Sequence, residues 1–374
     1  MTLRLQRLTL REVRLSLREP FRISSGVVHV RRILLLELQD EGGATCWSEC
    51  VAEEQPNYSP ETIDTAWLVI EAHVAPRVLG RRFAHPAEVH PALEHGFRGH
   101  NMAKAAVEMG LWGLASTVAG QPLAAFIGGT REAIATGISL GIQDAPERLV
   151  AKARAALADG YRKVKVKIEP GRDLAFLRAV REALGPDAPL MADANSAYAP
   201  ADAERLVALD ALGLMMIEQP LAGDDLVRHA ALQKRLRTPL CLDESITSLD
   251  RAQDMVALGA GRIVNLKPGR VGGLGPSLAI HAFCSARGVP LWCGGMLESG
   301  VGRAYNVALA SLPGFVLPGD VSPSARYWER DLVTPEWTME AGMVRVPRCR
   351  PGIGVEVDVG RVEALTARST VLRA

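Results

Sequence analysis

Residues 163–168 read Lys-Val-Lys-Val-Lys-Ile, and this stretch decides how the rest of the chain is interpreted. Neighbouring side chains of a β-strand point to opposite faces, so the three lysines share one face and the apolar residues share the other. Lysine is otherwise scarce, since the remaining ones are Lys104, Lys152, Lys234 and Lys267. An exposed strand with a solvated lysine face is the simplest interpretation. The alternative is a site that needs amines able to lose a proton, which arginine cannot do.

Length and charge narrow the possible classes of protein. The chain has 374 residues, of which 48% are hydrophobic and 23% charged, with a net charge of +1. A (β/α)₈ barrel takes about 250 residues and would leave room for a second, smaller domain. The balanced charge offers no basic surface for nucleic acid. No run of about 18 apolar residues predicts a membrane span. The expected partner is therefore a small molecule.

The six cysteines have spacings that match neither a zinc motif nor a disulfide framework. We therefore expect free thiols and a cytoplasmic protein, since disulfides are rare in that compartment. We also expect a homo-oligomer.

Two kinds of pattern divide the chain near Gly128 and Gly129. Before this point, alternating leucines from Leu3 to Leu17 predict two antiparallel strands. Further strands come next, and helices over 60–78 and 101–118 follow them. From residue 134 onward, eight apolar runs alternate with helical segments, which predicts a parallel barrel of the α/β class. An open doubly wound sheet is the alternative, but no glycine-rich dinucleotide fingerprint follows a strand.

Ionisable residues end five successive apolar runs, 24 to 26 residues apart: Lys167, Asp193, Glu218, Asp243 and Lys267. Each interval is one β/α unit, so these side chains should meet at the C-terminal rim of the barrel, where barrel active sites lie. A single acid after a strand is commonly a helix cap or a turn residue. Three converging carboxylates would repel one another without a cation between them.

Three carboxylates without a neighbouring histidine or cysteine suit a hard divalent cation such as Mg²⁺, with Mn²⁺ or Co²⁺ as substitutes. The eight histidines fall in predicted loops or helices away from these positions, so no histidine base is expected. A substrate carboxylate on the metal would have its α-carbon between Lys167 and Lys267. This arrangement suits removal of a proton next to a carboxylate through a metal-stabilised enediolate.

Six motifs carry a resemblance to a known family over nearly the whole chain. They are Lys165-Val-Lys167-Ile-Glu-Pro-Gly, Asp193-Ala-Asn195-Ser-Ala-Tyr, Ile217-Glu218-Gln-Pro-Leu, Cys241-Leu-Asp243-Glu-Ser, Asn265-Leu-Lys267-Pro-Gly-Arg-Val-Gly-Gly and Trp292-Cys-Gly-Gly-Met296-Leu-Glu-Ser-Gly-Val-Gly-Arg303-Ala. Jointly they resemble the enolase superfamily in its muconate-lactonizing-enzyme-like subgroup. The closest match is to the o-succinylbenzoate synthase and N-succinylamino acid (N-acylamino acid) racemase family.

The resemblance implies an α+β capping domain over residues 1–128, a (β/α)₇β modified TIM barrel over 129–322, and a segment over 323–374 that returns to the cap. It makes Asp193, Glu218 and Asp243 the metal ligands. It makes Lys167 and Lys267 the acid/base catalysts.

The resemblance also assigns residues to the substrate. Lys165 would hold a carboxylate oxygen of the substrate. The other pocket residues it implies are Ser139, Asn195, Gly295 and Met296. Two cap loops would set specificity, and the positions that match them are Phe21, Arg22, Ala52 and Tyr58. Where relatives tend to carry a methionine in the second loop, this chain has Ala52 followed by Glu53 and Glu54, so we expect a roomier acyl pocket.

The implied activity is racemisation of N-acylamino acids, or dehydration to o-succinylbenzoate in menaquinone biosynthesis, or both. Dipeptide epimerases are disfavoured because they carry Asp-x-Asp where this chain has Asp320-Val-Ser322, and mandelate-type racemases because they place a histidine opposite the lysine. A Schiff-base lyase on an ordinary barrel would need no carboxylate cluster. A barrel that binds without catalysing would leave the charged rim without a purpose.

Overall fold

A computed structural model describes residues 2–374. The N-terminal part is an antiparallel sheet covered by helices. Its elements in chain order are Leu3–Ile23 (β1), Gly26–Asp40 (β2), Thr45–Cys50 (β3), Ile63–Val69 (α1), Ala75–Val78 (α2), Arg82–Phe83 (β4), Val89–Glu94 (α3), Asn101–Val118 (α4) and Leu123–Phe126 (α5). Helix α4 packs on β2 and β3 at Gly110, where a Cβ atom would come within 2.5 Å of Leu38. A glycine there allows the close approach of helix and sheet.

The second part is a ring of seven parallel strands, each followed by a helix, together with a short strand, Ala133–Ala135, that precedes the ring and pairs antiparallel with residues 343–345. Its elements are Ala133–Ala135 (β5), Ile138–Leu140 (β6), Pro146–Ala158 (α6), Val164–Lys167 (β7), Leu174–Leu184 (α7), Leu190–Asp193 (β8), Ala203–Ala208 (α8), Ile217–Glu218 (β9), Leu226–Gln233 (α9), Leu240–Leu242 (β10), Leu249–Leu258 (α10), Ile263–Leu266 (β11), Pro268–Val271 (α11), Leu274–Ser285 (α12), Leu291–Cys293 (β12) and Gly300–Ala310 (α13). The sheet runs from β6 to β12 in chain order. This confirms the predicted (β/α)₇β barrel with an antiparallel capping domain.

The eighth apolar run closes the ring, but it is not a regular strand. Leu317 and Asp320 donate backbone hydrogen bonds to Leu291 and Cys293 of β12, while Gly319 donates to Ala135 on the other side. Pro318 and Gly319 interrupt the run, and both residue types weaken a strand ladder. The irregular segment therefore brings Asp320 to the rim.

The chain then returns to the cap through Val333–Thr334 (β13), Met343–Arg345 (β14), Glu356–Val357 (β15), Val359–Leu365 (α14) and Thr366–Arg373 (β16). Strand β16 pairs antiparallel with β1, so the cap sheet has the order β16-β1-β2-β3, with β4 also beside β1. Residues that precede the barrel and residues that follow it thus share one sheet.

Two buried glutamates of the cap join it to the barrel. Glu49 on β3 accepts hydrogen bonds from the Ser299 hydroxyl and the Gly302 amide at the start of α13. Glu108 on α4 accepts from the Leu274 and Gly275 amides at the start of α12. Burial raises the pKa of each carboxyl to about 7, against the effect of these donors. A carboxylate suits the unpaired amides of a helix N-terminus, so these contacts fix the cap over the rim.

The helix predicted over residues 101–118 matches α4 in full. Two differences concern the cap. The pair of strands expected from Leu3 to Leu17 is a single long strand, β1, whose pairing with β2 shifts register between Ser16 and Phe21. The helix expected over 60–78 contains a π-helical turn at Ile70–Val74, just before Pro76, which lacks an amide hydrogen.

Candidate active site

The lysine strand β7 lies inside the barrel and not at the surface. It pairs with β6 and β8, and Lys163, Lys165 and Lys167 are between 0% and 9% exposed. The opposite face, with Val164 and Val166, is also buried in the apolar core. The solvated-lysine interpretation is therefore wrong, because both faces of this parallel strand are covered.

The five strand-end residues predicted from sequence lie together at one rim. Lys167 Nζ is 2.6 Å from Asp193 Oδ2, and Lys267 Nζ is 2.8 Å from Asp243 Oδ2. Lys165 Nζ lies 3.1 Å from Asp193 Oδ2 and 3.2 Å from Glu218 Oε2. Because the strand order places β8, β9 and β10 between β7 and β11, Lys167 and Lys267 approach the rim from opposite sides.

Each of the three carboxylates is turned toward a cation of the protein. Within residues 2–374, no three His, Cys, Asp or Glu side chains are arranged to hold a metal ion as they lie. Two acceptor oxygens near the rim, Glu244 Oε2 and Asn265 Oδ1, are buried and lack a hydrogen-bond partner. The groups that could bind a metal ion are three carboxylates, which are hard oxygen ligands, so their chemistry fits a hard divalent cation once the lysine amines are displaced from them.

Burial and neighbouring charges both shift the pKa values of these groups. Burial works to lower the pKa of Lys165, but Asp320, Glu218 and Asp193 outweigh it and hold that pKa well above its usual value. Burial works to raise the pKa of Asp193, whereas the neighbouring lysine amines hold it far below its usual range. For Glu218, burial and the nearby Asp193 charge together raise the pKa. The rim is thus a set of strongly interacting charges and not a row of independent ones.

A cavity of about 710 Å³ opens between the cap and the rim. This volume is within the range of small-molecule sites. All five predicted substrate residues line it, together with Lys167 and Lys267, the lysines predicted to be catalytic, and the cap residues Phe21 and Tyr58. The hydroxyl of Ser139 in this wall has no hydrogen-bond partner within the described residues, which leaves it free for a ligand.

Tyr58 connects the cap directly to the rim. Its hydroxyl donates to Asp243 Oδ1 at 2.9 Å, and its ring lies 4.3 Å from Lys267 Nζ. Burial raises the pKa of this phenol, which keeps the hydroxyl protonated as a donor. Arg270 also bonds Asp243 from the barrel side. The cap therefore helps to orient one of the proposed metal ligands.

Arg22 and Ala52 do not line the cavity. The Arg22 guanidinium points outward and pairs with Asp144 at 3.2 Å and Glu169 at 3.8 Å. The hairpin tip that carries it docks on the barrel, because the Ile142 amide donates to the Arg22 carbonyl at 2.9 Å. Ala52 is fully buried, and Glu53 and Glu54 line the cavity in its place.

Several residues that shape the site were missed by the sequence reasoning. Asp320, which contacts Lys165 at 2.5 Å, follows the eighth apolar run as Asp193 follows the third, so its position was a usable signal. Arg31 bonds the Val51 and Ala52 carbonyls from within the cavity wall, and nothing in its local sequence indicates this. His29, expected to lie away from the site, is on β2 and lines the cavity.

The fold and the rim define an enzyme class built on a capped (β/α)₇β barrel with paired lysines and three acids. Residues 6–128 match the model described as mandelate racemase / muconate lactonizing enzyme, N-terminal domain, and residues 148–361 match enolase C-terminal domain-like. The chain belongs to this family of the enolase superfamily.

Individual relatives extend the match to the full length of the chain. An o-succinylbenzoate synthase of Geobacillus kaustophilus is 49% identical over 98% of this chain and 97% of its own length. An N-succinylamino acid racemase of Thermus thermophilus is 47% identical over 97% of this chain and 98% of its own. A solved structure of an enolase superfamily member from Listeria innocua has a TM-score of 0.95 at 39% identity, and 99% of each chain is covered. Both predicted enzyme options are therefore represented among its relatives.

No helix of the described residues is both long and apolar enough to cross a bilayer. All six cysteines are free thiols, as expected, and five of them are buried.

Proposed function

We propose that this protein transfers the α-proton of N-acylamino acids, with N-succinylamino acids as the first candidates, and so racemises them. The observation that carries the proposal is the pair of buried amines, Lys167 and Lys267, which enter one cavity from opposite sides. Racemisation needs a proton carrier on each face of the α-carbon, and this arrangement provides two.

The substrate carboxylate would lie at the rim between the two amines. Lys165 would bind one of its oxygens, and the free Ser139 hydroxyl and the Asn195 amide lie in the same wall to orient the acyl amide. Asn195 Oδ1 and Asp193 Oδ2 each lie 2.6 Å from Lys167 Nζ and fix that amine in place. A divalent cation held by Asp193, Glu218 and Asp243 would supply the positive charge that stabilises the carboxylate as its α-proton leaves.

A second candidate reaction is the dehydration that yields o-succinylbenzoate, because the relatives that share most identity with the chain include enzymes of that name. This reaction needs one base, and Lys267 would then serve only as a cation. A Schiff-base lyase is disfavoured, because such an enzyme would need one lysine but no cluster of three carboxylates. Treatment with borohydride in the presence of substrate should therefore leave the activity intact.

We also propose that the protein is a cytoplasmic homo-oligomer.

The decisive experiment compares the two reactions side by side. We expect the wild type with Mg²⁺ to exchange the α-hydrogen of both enantiomers of N-succinylphenylalanine in D₂O. The kcat/KM for this substrate is then set against that for the cyclohexadiene precursor of o-succinylbenzoate, since their ratio reports discrimination between transition states. Rapid turnover of the precursor without exchange of either enantiomer would make dehydration the function.

Removal of divalent metal should abolish both reactions. Without the metal ion, the lysine amines stay paired with the three carboxylates, and the charge that develops on the substrate carboxylate lacks its divalent counter-ion. A metal present at 100 times its Kd stabilises the fold by about 2.7 kcal/mol, so the melting temperature should also fall in chelator. Readdition of Mg²⁺, Mn²⁺ or Co²⁺ should restore both properties. Full exchange activity in chelator, measured by NMR, would contradict the metal assignment.

A further inference from the structure

Lys165 touches three carboxylates that differ in what else they contact. Asp193 Oδ2 is shared with Lys167, at 2.6 Å, and Glu218 also accepts from the Asn265 amide, at 2.6 Å. Asp320 Oδ2 lies 2.5 Å from Lys165 Nζ, and within residues 2–374 it contacts no other cation. Asp320 therefore makes the shortest of the three contacts with Lys165, and its Oδ2 is not shared with another cation of the described residues.

The other oxygen of Asp320 faces a second buried cation. Lys163 Nζ lies 3.2 Å from Asp320 Oδ1 and 3.5 Å from the centre of the Trp292 ring, and its side chain is fully buried. Charges thus alternate from Lys163 through Asp320 to Lys165, inside the barrel. A buried carboxylate between two cations is balanced, whereas loss of one member leaves an unpaired buried charge.

The backbone holds Asp320 rigidly at this place. Its amide donates to the Cys293 carbonyl at 2.8 Å. Its carbonyl lies so close to Gly295 that a Cβ atom there would approach within 2.7 Å. Asp320 therefore belongs to the rim as firmly as the ends of the regular strands.

We propose that Asp320 is the positioning residue that fixes Lys165 for the substrate carboxylate, with Lys163 as its buried counter-cation. The inference rests on the proposed function, because that function assigns Lys165 to the carboxylate. A cation bound by Asp193 and Glu218 competes with Lys165 for their oxygens. Asp320 is not one of the proposed metal ligands, so its contact with Lys165 persists when the cation is bound.

The Asp320→Asn variant tests this role. Lys165 binds the carboxylate equally before and during proton transfer, so weakening its anchor should raise KM and change kcat little. Loss of one charge-assisted hydrogen bond corresponds to a rise in KM of about ten- to a hundredfold. Mg²⁺ affinity, measured by calorimetry without substrate, should stay within about twofold of the wild type, because Asp320 is not a ligand in this scheme.

A double variant separates positioning from stability. Asp320→Asn alone leaves Lys163 as an unpaired buried cation and should lower the melting temperature. Lys163→Met combined with Asp320→Asn removes both charges and should recover that temperature, while KM stays high. If KM returns to the wild-type value together with the melting temperature, Asp320 is only structural and the inference fails.

A matched control uses another buried aspartate. Asp331→Asn removes a carboxylate that bonds Gly300 and Ser324, away from Lys165, so it should affect stability and leave KM unchanged. A wild type that exchanges no α-hydrogen would refute the proposed function. A wild type that exchanges it, with an unaltered KM in the folded Asp320→Asn variant, would refute only the role of Asp320.

Discussion

Replacing Lys167 by alanine is expected to reduce α-hydrogen exchange of the (S)-enantiomer of an N-acylamino acid by about 10³-fold, since a positioned general base contributes about 10²- to 10⁴-fold. The family resemblance implies that Lys167 serves the (S)-face of the α-carbon and Lys267 the (R)-face. The fold should persist, because Asp193 keeps its contact with Lys165. The measurement is deuterium incorporation followed by NMR, with circular dichroism as the check on folding.

Lys152→Ala is the matched control for this substitution. Lys152 pairs with Glu19 at the surface and lies outside the cavity lining, so its loss should leave exchange unchanged. If Lys167→Ala exchanges the (S)-enantiomer at the wild-type rate, the lysine face of β7 has no role in proton transfer.

Replacing Lys267 by alanine should produce the opposite enantiomeric pattern. The variant should still exchange the (S)-enantiomer and should lose exchange of the (R)-enantiomer, because each amine serves one face of the α-carbon. The rim itself should remain in place, since Arg270 and Tyr58 still contact Asp243. The two enantiomers are assayed separately in D₂O.

Lys267→Arg adds a distinction between the two candidate reactions. Arginine retains the positive charge but cannot give up its proton. Dehydration of the cyclohexadiene precursor should therefore survive better in this variant than exchange of the (R)-enantiomer. Equal losses of both activities would show that Lys267 performs the same step in each reaction.

The parts of the site that follow a local pattern could be predicted from sequence. Alternation in residues 163–168 indicated a strand, and the regular spacing of Lys167, Asp193 and Glu218 indicated a shared rim. Both inferences use only periodicity, which each segment carries by itself. Contacts between distant segments carry no such signal. The Tyr58 hydroxyl meets Asp243 across 185 positions of sequence, and only the packing of cap on barrel decides this contact.

The direction in which a side chain points also could not be predicted from the sequence. A motif can place Arg22 in a loop near the cavity, but the acids Asp144 and Glu169 on neighbouring loops draw its guanidinium outward. Similarly, burial on both faces of β7 depends on the ring closing around it, and the irregular residues 315–320 complete that ring. Sequence periodicity is weakest where Pro and Gly break a strand, as they do there.

The pairing of β1 with β16 has a consequence for the order of events during synthesis. Strand β1 is synthesised before the barrel and β16 after it, so the cap sheet lacks its outer strand until the barrel has left the ribosome. Contacts between segments this far apart in the chain form slowly, because the intervening loop must first be closed. The barrel can begin to pack while the cap is still incomplete. A nascent chain could thus begin to assemble its rim before the cap sheet is complete, and that sheet would be finished only after the segment that follows the barrel has docked on β1.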